Sequence, residues 1–164
     1  MLLFNPSAYD AAHYDEPTRR ALLAVRRFFE AKGHEVLKAE SHDATWYDDF
    51  LEMIAREGVF ARFGTPAAVG TLTGGADATT ARWDTARNND LSELLAWYSL
   101  EHWYAWQVTV LGLGPVWTSG NAEAQRLVGE LLAQGGLFAF GLSEREHGAD
   151  IYSTDMVLTE DGAG

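Results

Sequence analysis

Phe138-Ala139-Phe140-Gly141-Leu142-Ser143-Glu144-Arg145-Glu146-His147-Gly148-Ala149-Asp150 lies near the carboxyl end of a 164-residue chain. Its first half is apolar. Phe138, Phe140 and Leu142 share one side of an extended backbone, because side chains along a strand alternate between faces with period two. The pattern predicts a strand over 137–142. The run ends at a hydroxyl and a carboxylate, Ser143 and Glu144, then turns through polar residues to Gly148, Ala149 and Asp150. A strand ending in such a loop is a good place to approach a flat polar ligand. Backbone N–H groups come free there, and glycine leaves no side chain in the way.

The chain before this stretch reads as helices. Residues 1–14 form an irregular arm, with Phe4, Tyr9 and Tyr14 available to tuck against the body. Asp15 and Glu16 precede Pro17, a standard opening for a helix. Leu22, Val25, Phe28 and Phe29 follow at helical spacing, and Gly33 is the expected left-handed end. A second helix is expected from Thr45, with Asp48 completing a capping box and Tyr47, Phe50, Leu51 and Ile54 as its buried stripe. Gly58 should stop it, with Val59 and Phe60 folding back over the last turn. Gly64, Pro66, Gly70, Gly74 and Gly75 make 61–80 read as a loop.

Asn89 and Asp90, with Glu93, are the expected cap of a third helix running to about Leu111. Its aromatics, Trp97, Tyr98, Trp103, Tyr104 and Trp106, do not fall on one side. A helix apolar nearly all round is buried on several sides, as the centre of a bundle or against a partner subunit. Gly112, Gly114 and Pro115 should break it. Gly120-Asn121 then open a fourth helix with Leu127, Val128, Leu131 and Leu132 inward, which Gly135-Gly136 end. After Asp150, residues 151–158 read as one more strand and 159–162 as a turn.

Composition narrows the function classes. The chain has no cysteine, which removes disulfides and thiolate metal sites. Twenty-four acidic against 12 basic residues give a formal charge of −12, which repels nucleic acid and anionic lipid. No apolar run reaches the roughly 18 residues of a membrane-spanning helix. Met1-Leu2-Leu3-Phe4 stops at Asn5-Pro6, too short for a signal peptide. A cytoplasmic location is the expectation. Glu144-x-x-His147 has the spacing of a di-iron half-site, but it occurs once and in an expected loop, so no metal is assigned.

The order of helices, loop, long central helix, Gly-Asn-capped helix and strand with a Ser-Glu turn resembles the N-terminal part of the acyl-CoA dehydrogenases. That family carries an aromatic-x-apolar-Thr/Ser-Glu-x-x-x-Gly-Ser-Asp pattern, here Phe140-Gly141-Leu142-Ser143-Glu144 and Gly148-Ala149-Asp150. The link from Gly114-Pro115 to Gly120-Asn121-Ala122-Glu123-Ala124-Gln125 is also similar. The resemblance implies a mainly α fold: a helical domain over 1–136, then one or two strands over 137–164 that open a middle β-domain, the whole being a fragment of a longer enzyme. It implies that Phe140, Leu142, Ser143, Gly148 and Ala149 contact FAD. Leu142 would lie beside the isoalloxazine, and Ser143 would offer its hydroxyl and N–H near N5. Ala149 stands where the family has Ser, so that hydroxyl contact is absent, and Glu144 is a structural carboxylate of the turn.

The implied reaction takes an acyl-CoA thioester to the 2,3-enoyl-CoA. A Glu base in the family's C-terminal domain abstracts the α proton, and no residue here matches it. The fragment alone is expected neither to hold FAD tightly nor to turn over. A homodimer or homotetramer is implied for the full-length protein. An acyl-CoA oxidase of the same fold is an alternative. A free-standing helical module for oligomerisation or binding is another, and it predicts last strands paired inside their own fold. The dehydrogenase reading predicts that 137–158 has few sheet partners of its own.

Overall fold

Helix α1, Glu16–Lys32, begins where the local chemistry places it. Asp15 Oδ1 accepts from the Thr18 N–H at 3.1 Å and from its hydroxyl at 2.9 Å, and Pro17 occupies the first turn. Thr18, Ala21, Leu22, Val25 and Phe29 form its buried stripe. Gly33 closes it, donating to the Phe29 carbonyl at 3.0 Å. The computed structural model describes residues 5–66, 83, 85–157 and 159. Among them are seven α-helices, and the protein is mainly α.

The chain reverses at Gly33 into α2, His34–Asp43, a helix absent from the sequence reading. Only Leu37 of α2 is buried, so there was little apolar periodicity to read. Lys32 holds it instead, pairing with Glu40 of α2 and, at 2.7 Å, with Asp49 Oδ2. Helix α3, Asp48–Arg56, starts three residues later than expected, with Tyr47 rather than Thr45 at its cap. Phe50, Met53 and Ile54 point inward. Gly58 does end a helix, but Val59 and Phe60 open a short one, α4, Val59–Gly64, over the first residues of the expected loop. The remainder of that loop, 67–80, lies outside the described residues.

The expected third helix is two. Helix α5, Thr85–Tyr98, and α6, Leu100–Thr118, meet at Ser99, whose backbone is extended. Asn89 and Asp90 lie inside α5, where Asp90 accepts from the Tyr9 hydroxyl at 3.4 Å. The break is local chemistry: the Ser99 hydroxyl donates to Glu101 Oε2 at 2.6 Å and meets His102 Nδ1 at 2.7 Å. Helix α6 then runs past Gly112, Gly114 and Pro115 instead of breaking. Pro115 sits within the last turn, and Trp117 anchors that end by donating to the Gly64 carbonyl at 2.9 Å. Helix α7, Ala122–Ala133, begins as expected, with Asn121 Oδ1 accepting from the Ala124 N–H at 3.1 Å.

Helix α6 joins two apolar clusters. The larger packs Leu22, Val25, Phe29, Phe50, Phe60, Phe63, Leu94 and Leu95 around Trp106. Tyr9 and Tyr14 of the N-terminal arm lean on it, as expected; Phe4 lies outside the described residues. The smaller cluster packs Leu113 against Val128 and Leu132, with Phe138 covering it. Only part of α6 is buried all round: Leu100, Tyr104 and Leu111 face solvent at 66%, 60% and 44% exposure.

The end of α7 delivers the chain away from the bundle. Gly135 has φ +84°, and the Gly136 N–H reaches back to the Leu131 carbonyl at 2.8 Å while Gly135 donates to Leu132 at 2.9 Å. This is the two-bond glycine termination that turns a helix sharply. The backbone then crosses α6 at Gly112, where an added Cβ would sit 2.8 Å from the Ala139 carbonyl oxygen.

The expected strand over 137–142 does not form. No strand occurs among the described residues, and 137–143 make no backbone hydrogen bond there. Alternating apolar residues prepare a strand, but only a second backbone at hydrogen-bonding distance makes one. Residues 151–157 are not a strand either; Ile151–Ser153 is a short 3-10 turn. Neither of the expected strands is found among the described residues.

Candidate functional site

The carboxyl-terminal arm is shaped by two side chains. Glu144 and His147 exchange backbone hydrogen bonds at 3.0 and 3.3 Å, closing the turn. The Glu144 carboxylate then accepts from the Asp155 N–H at 2.9 Å and the Thr154 hydroxyl at 2.8 Å, tying two parts of the arm together. These two bonds, the backbone one first, hold its carboxyl below the usual range. His147 stands between two carboxylates, Nδ1 at 2.8 Å from Asp150 and Nε2 at 3.2 Å from Asp155. Asp150, then Asp155, raise its pKa. The spacing Glu144-x-x-His147 is thus used to fold a loop. Among the described residues no group of three or more His, Asp or Glu is placed to hold a metal ion.

The five residues singled out by sequence all lie on this arm. Phe140 and Leu142 precede the turn and are 45% and 43% exposed. Ser143, Gly148 and Ala149 are exposed around it. Ser143 adjoins the turn without taking part in its hydrogen bonds, while Glu144 turns inward to Thr154 and Asp155. The arm therefore presents unpaired backbone over 137–143, two apolar side chains and one hydroxyl to its surroundings. A flavin needs an apolar flank for its ring and donors at its polar edge, and these residue types fit that need.

A second place uses two of the aromatics, Trp103 and Tyr104, noted on the expected third helix. Trp46, on the link between α2 and α3, and Leu100, Glu101, Trp103 and Tyr104, at the start of α6, line a shallow depression of about 370 Å³. Glu101 is fixed there: Ser41 Oγ donates to Oε1 at 2.5 Å and Ser99 Oγ to Oε2 at 2.6 Å. Those two bonds, Ser41 first, hold its carboxyl down to about 2.

Beside it His102 is 1% exposed, ringed by Phe50 at 4.5 Å, Trp46 at 4.9 Å and Phe29 at 5.0 Å between centroids. Burial, then the Lys32 charge, push its pKa down to about 4, so the imidazole is neutral near pH 7. Nδ1 is paired with Ser99, while Nε2 is buried without a hydrogen-bond partner. The one sequence signal for this place was the order Ser99-x-Glu101-His102 on an aromatic helix. Trp46 comes from far away in the chain, and no local pattern links the two.

No described helix is long and apolar enough to cross a membrane. No protein-family model, no curated protein and no solved structure matches the chain.

Proposed function

We propose that this chain is the N-terminal helical portion of a flavin-dependent acyl-CoA dehydrogenase, and that the arm from Phe140 to Asp150 lies along the flavin. The observation that carries the reading is the backbone of 137–143, unpaired among the described residues and laid across the bundle at Gly112, bearing exposed Phe140 and Leu142 and ending at exposed Ser143. Bound FAD would supply the acceptor for the β hydride of an acyl thioester whose α proton goes to a carboxylate base. Phe140 and Leu142 would exclude water from one side of the ring. The Ser143 hydroxyl and N–H would donate to its polar edge, where fixed donors stabilise charge as it develops. Gly148 and Ala149 would leave room for a phosphate-bearing ligand to approach the turn that Glu144 and His147 hold. The base and most of the cofactor surface would come from sequence outside these 164 residues. An acyl-CoA oxidase would use the arm in the same way.

The test is to express the whole open reading frame that contains these codons. The product is expected to be yellow and to reduce an artificial acceptor on addition of acyl-CoA. Ser143→Ala is expected to lower that rate about tenfold or more and to shift the flavin absorption. The 164-residue polypeptide alone is expected to elute colourless from gel filtration. A full-length product that is colourless and indifferent to acyl thioesters overturns the proposal and leaves a helical binding module.

A further inference from the structure

The depression at the start of α6 combines three features that bundle packing does not require. Two of its walls, Leu100 and Tyr104, are large side chains held mostly in water. Trp46 and Trp103 make the inner walls, and both also pack against the main core, so the aromatic surface is rigidly backed. Its one charged lining residue is Glu101, whose carboxylate is oriented by two serine hydroxyls and has no Lys or Arg partner among the described residues. A carboxylate pinned in place and left without a cation is an acceptor for one from outside.

We propose that this depression binds a small quaternary ammonium ligand of the choline type, its methyl groups against Trp46, Trp103 and Tyr104 and its charge facing Glu101. Aromatic faces carry negative potential and attract cations, most strongly when the cation is poorly hydrated. A primary ammonium keeps its water shell and its three donors, which the apolar walls do not satisfy. Methylation removes both needs and supplies apolar surface for the rings. The carboxylate is ionised throughout the neutral range, so the attraction does not wait on a proton. The overall charge of −12 adds a long-range pull on cations. The site is separate from the arm, since Tyr104 and Gly112 stand eight residues apart on α6, about 12 Å along its axis. It does not depend on the flavin reading.

The experiment is calorimetric titration of the protein with choline chloride, against its neutral carbon isostere in which a tert-butyl group replaces the trimethylammonium. Indole N–H resonances of Trp46 and Trp103 are followed in parallel. Choline is expected to bind saturably and shift both indoles, with the isostere about tenfold weaker. Glu101→Gln and Tyr104→Ala are each expected to weaken choline several-fold. Tyr104→Ala removes a mostly exposed side chain, so its thermal melt should match that of the parent and keep the test independent of folding. Equal affinity for choline and the isostere would overturn the proposal, since it would mean apolar contact alone. So would the absence of saturable binding, or choline affinity unchanged in Glu101→Gln.

Discussion

Leu22, Val25, Phe50 and Leu94 in the bundle are each fully buried, while Tyr152 in the arm is 98% exposed and Val157 76%. In the bundle the backbone is paired within helices, and apolar side chains meet one another across α1, α3, α5 and α6. In the arm over 137–143 the backbone is unpaired among the described residues, and order comes from a few polar contacts around Glu144 and His147. The bundle is held by side-chain packing, the arm by a few polar contacts. That difference is measurable, because the two regions should answer the same kinds of perturbation by different amounts and with opposite signs.

The largest effect should come from the bundle's centre. Trp106 is 1% exposed and packs on Phe60 with ring centroids 4.9 Å apart. Trp106→Ala is expected to cost about 3–5 kcal/mol, read as a lowered urea midpoint by circular dichroism. Phe140→Ala in the arm should stay within about 0.5 kcal/mol. If the two substitutions cost the same, the arm belongs to the core and the comparison fails.

A pH titration sharpens the contrast. The His102 pKa falls from 6.5 to about 4 in the folded chain, chiefly by burial. Between those values the unfolded chain binds a proton that the folded chain refuses, so stability rises with pH. The contribution is present above about pH 6.5 and is lost as pH falls toward 4, with a ceiling of roughly 3 kcal/mol. Urea midpoints measured from pH 7.5 down to 4.5 should fall accordingly, and His102→Gln should flatten the slope in that window. Glu101, lowered to about 2 by Ser41 and Ser99, contributes stability above about 4.5 that is lost below it, and so acts in a separate range.

The arm meets the bundle where it crosses a helical glycine, next to the packing of Phe138 on Leu113, Val128 and Leu132. An alanine Cβ at Gly112 would lie 2.8 Å from the Ala139 carbonyl oxygen, whereas at Gly114 it meets open space. Gly114→Ala should gain up to about 1 kcal/mol from helix propensity. Gly112→Ala has the same intrinsic gain but must push the arm aside, at about 1–3 kcal/mol. Hydrogen exchange or limited proteolysis over 137–157 should quicken in Gly112→Ala only. Equal protection in both variants would show that the crossing is not held there.

What the sequence made legible follows the same division. Helices α1 and α7 were readable because Asp15, Pro17, Gly33, Asn121 and Gly135 act on their immediate neighbours. Helix α2 was not, because Lys32 and a single leucine hold it through contacts that no period records. The single long helix expected over 89–111 failed at Ser99, where one hydroxyl serving Glu101 and His102 outweighs a continuous apolar pattern. Pro115 misled in the other direction, since a late proline costs little when Trp117 anchors the turn beyond it. The strand over 137–142 was legible as a preparation, but its pairing partner is not in the described fold. Of the two places a ligand could use, the arm was visible as a motif. The depression was only half legible, because Trp103 and Tyr104 belong to the aromatic run of the expected helix while Trp46 reaches them from a distant part of the chain.

The smallest effect is also the one that reverses sign. His147 sits between Asp150 and Asp155, and its pKa is raised rather than lowered. A group whose folded pKa lies above its ordinary value adds stability that is complete below that value and fades as pH rises through the folded one. The loop should therefore tighten as pH falls toward about 6.5 and be fully tightened there, just where the bundle begins to weaken through His102. Because the group is exposed, the gain stays local and is screened by salt. Amide exchange at 144–155, corrected for intrinsic rates, is expected to slow modestly from pH 7.5 to 6, and the difference should vanish in His147→Gln. The same titration should leave amides of α1 and α5 no better protected at pH 6. Arm and bundle moving together would mean that one cooperative unit holds both, and the division drawn at Gly135 would have to be abandoned.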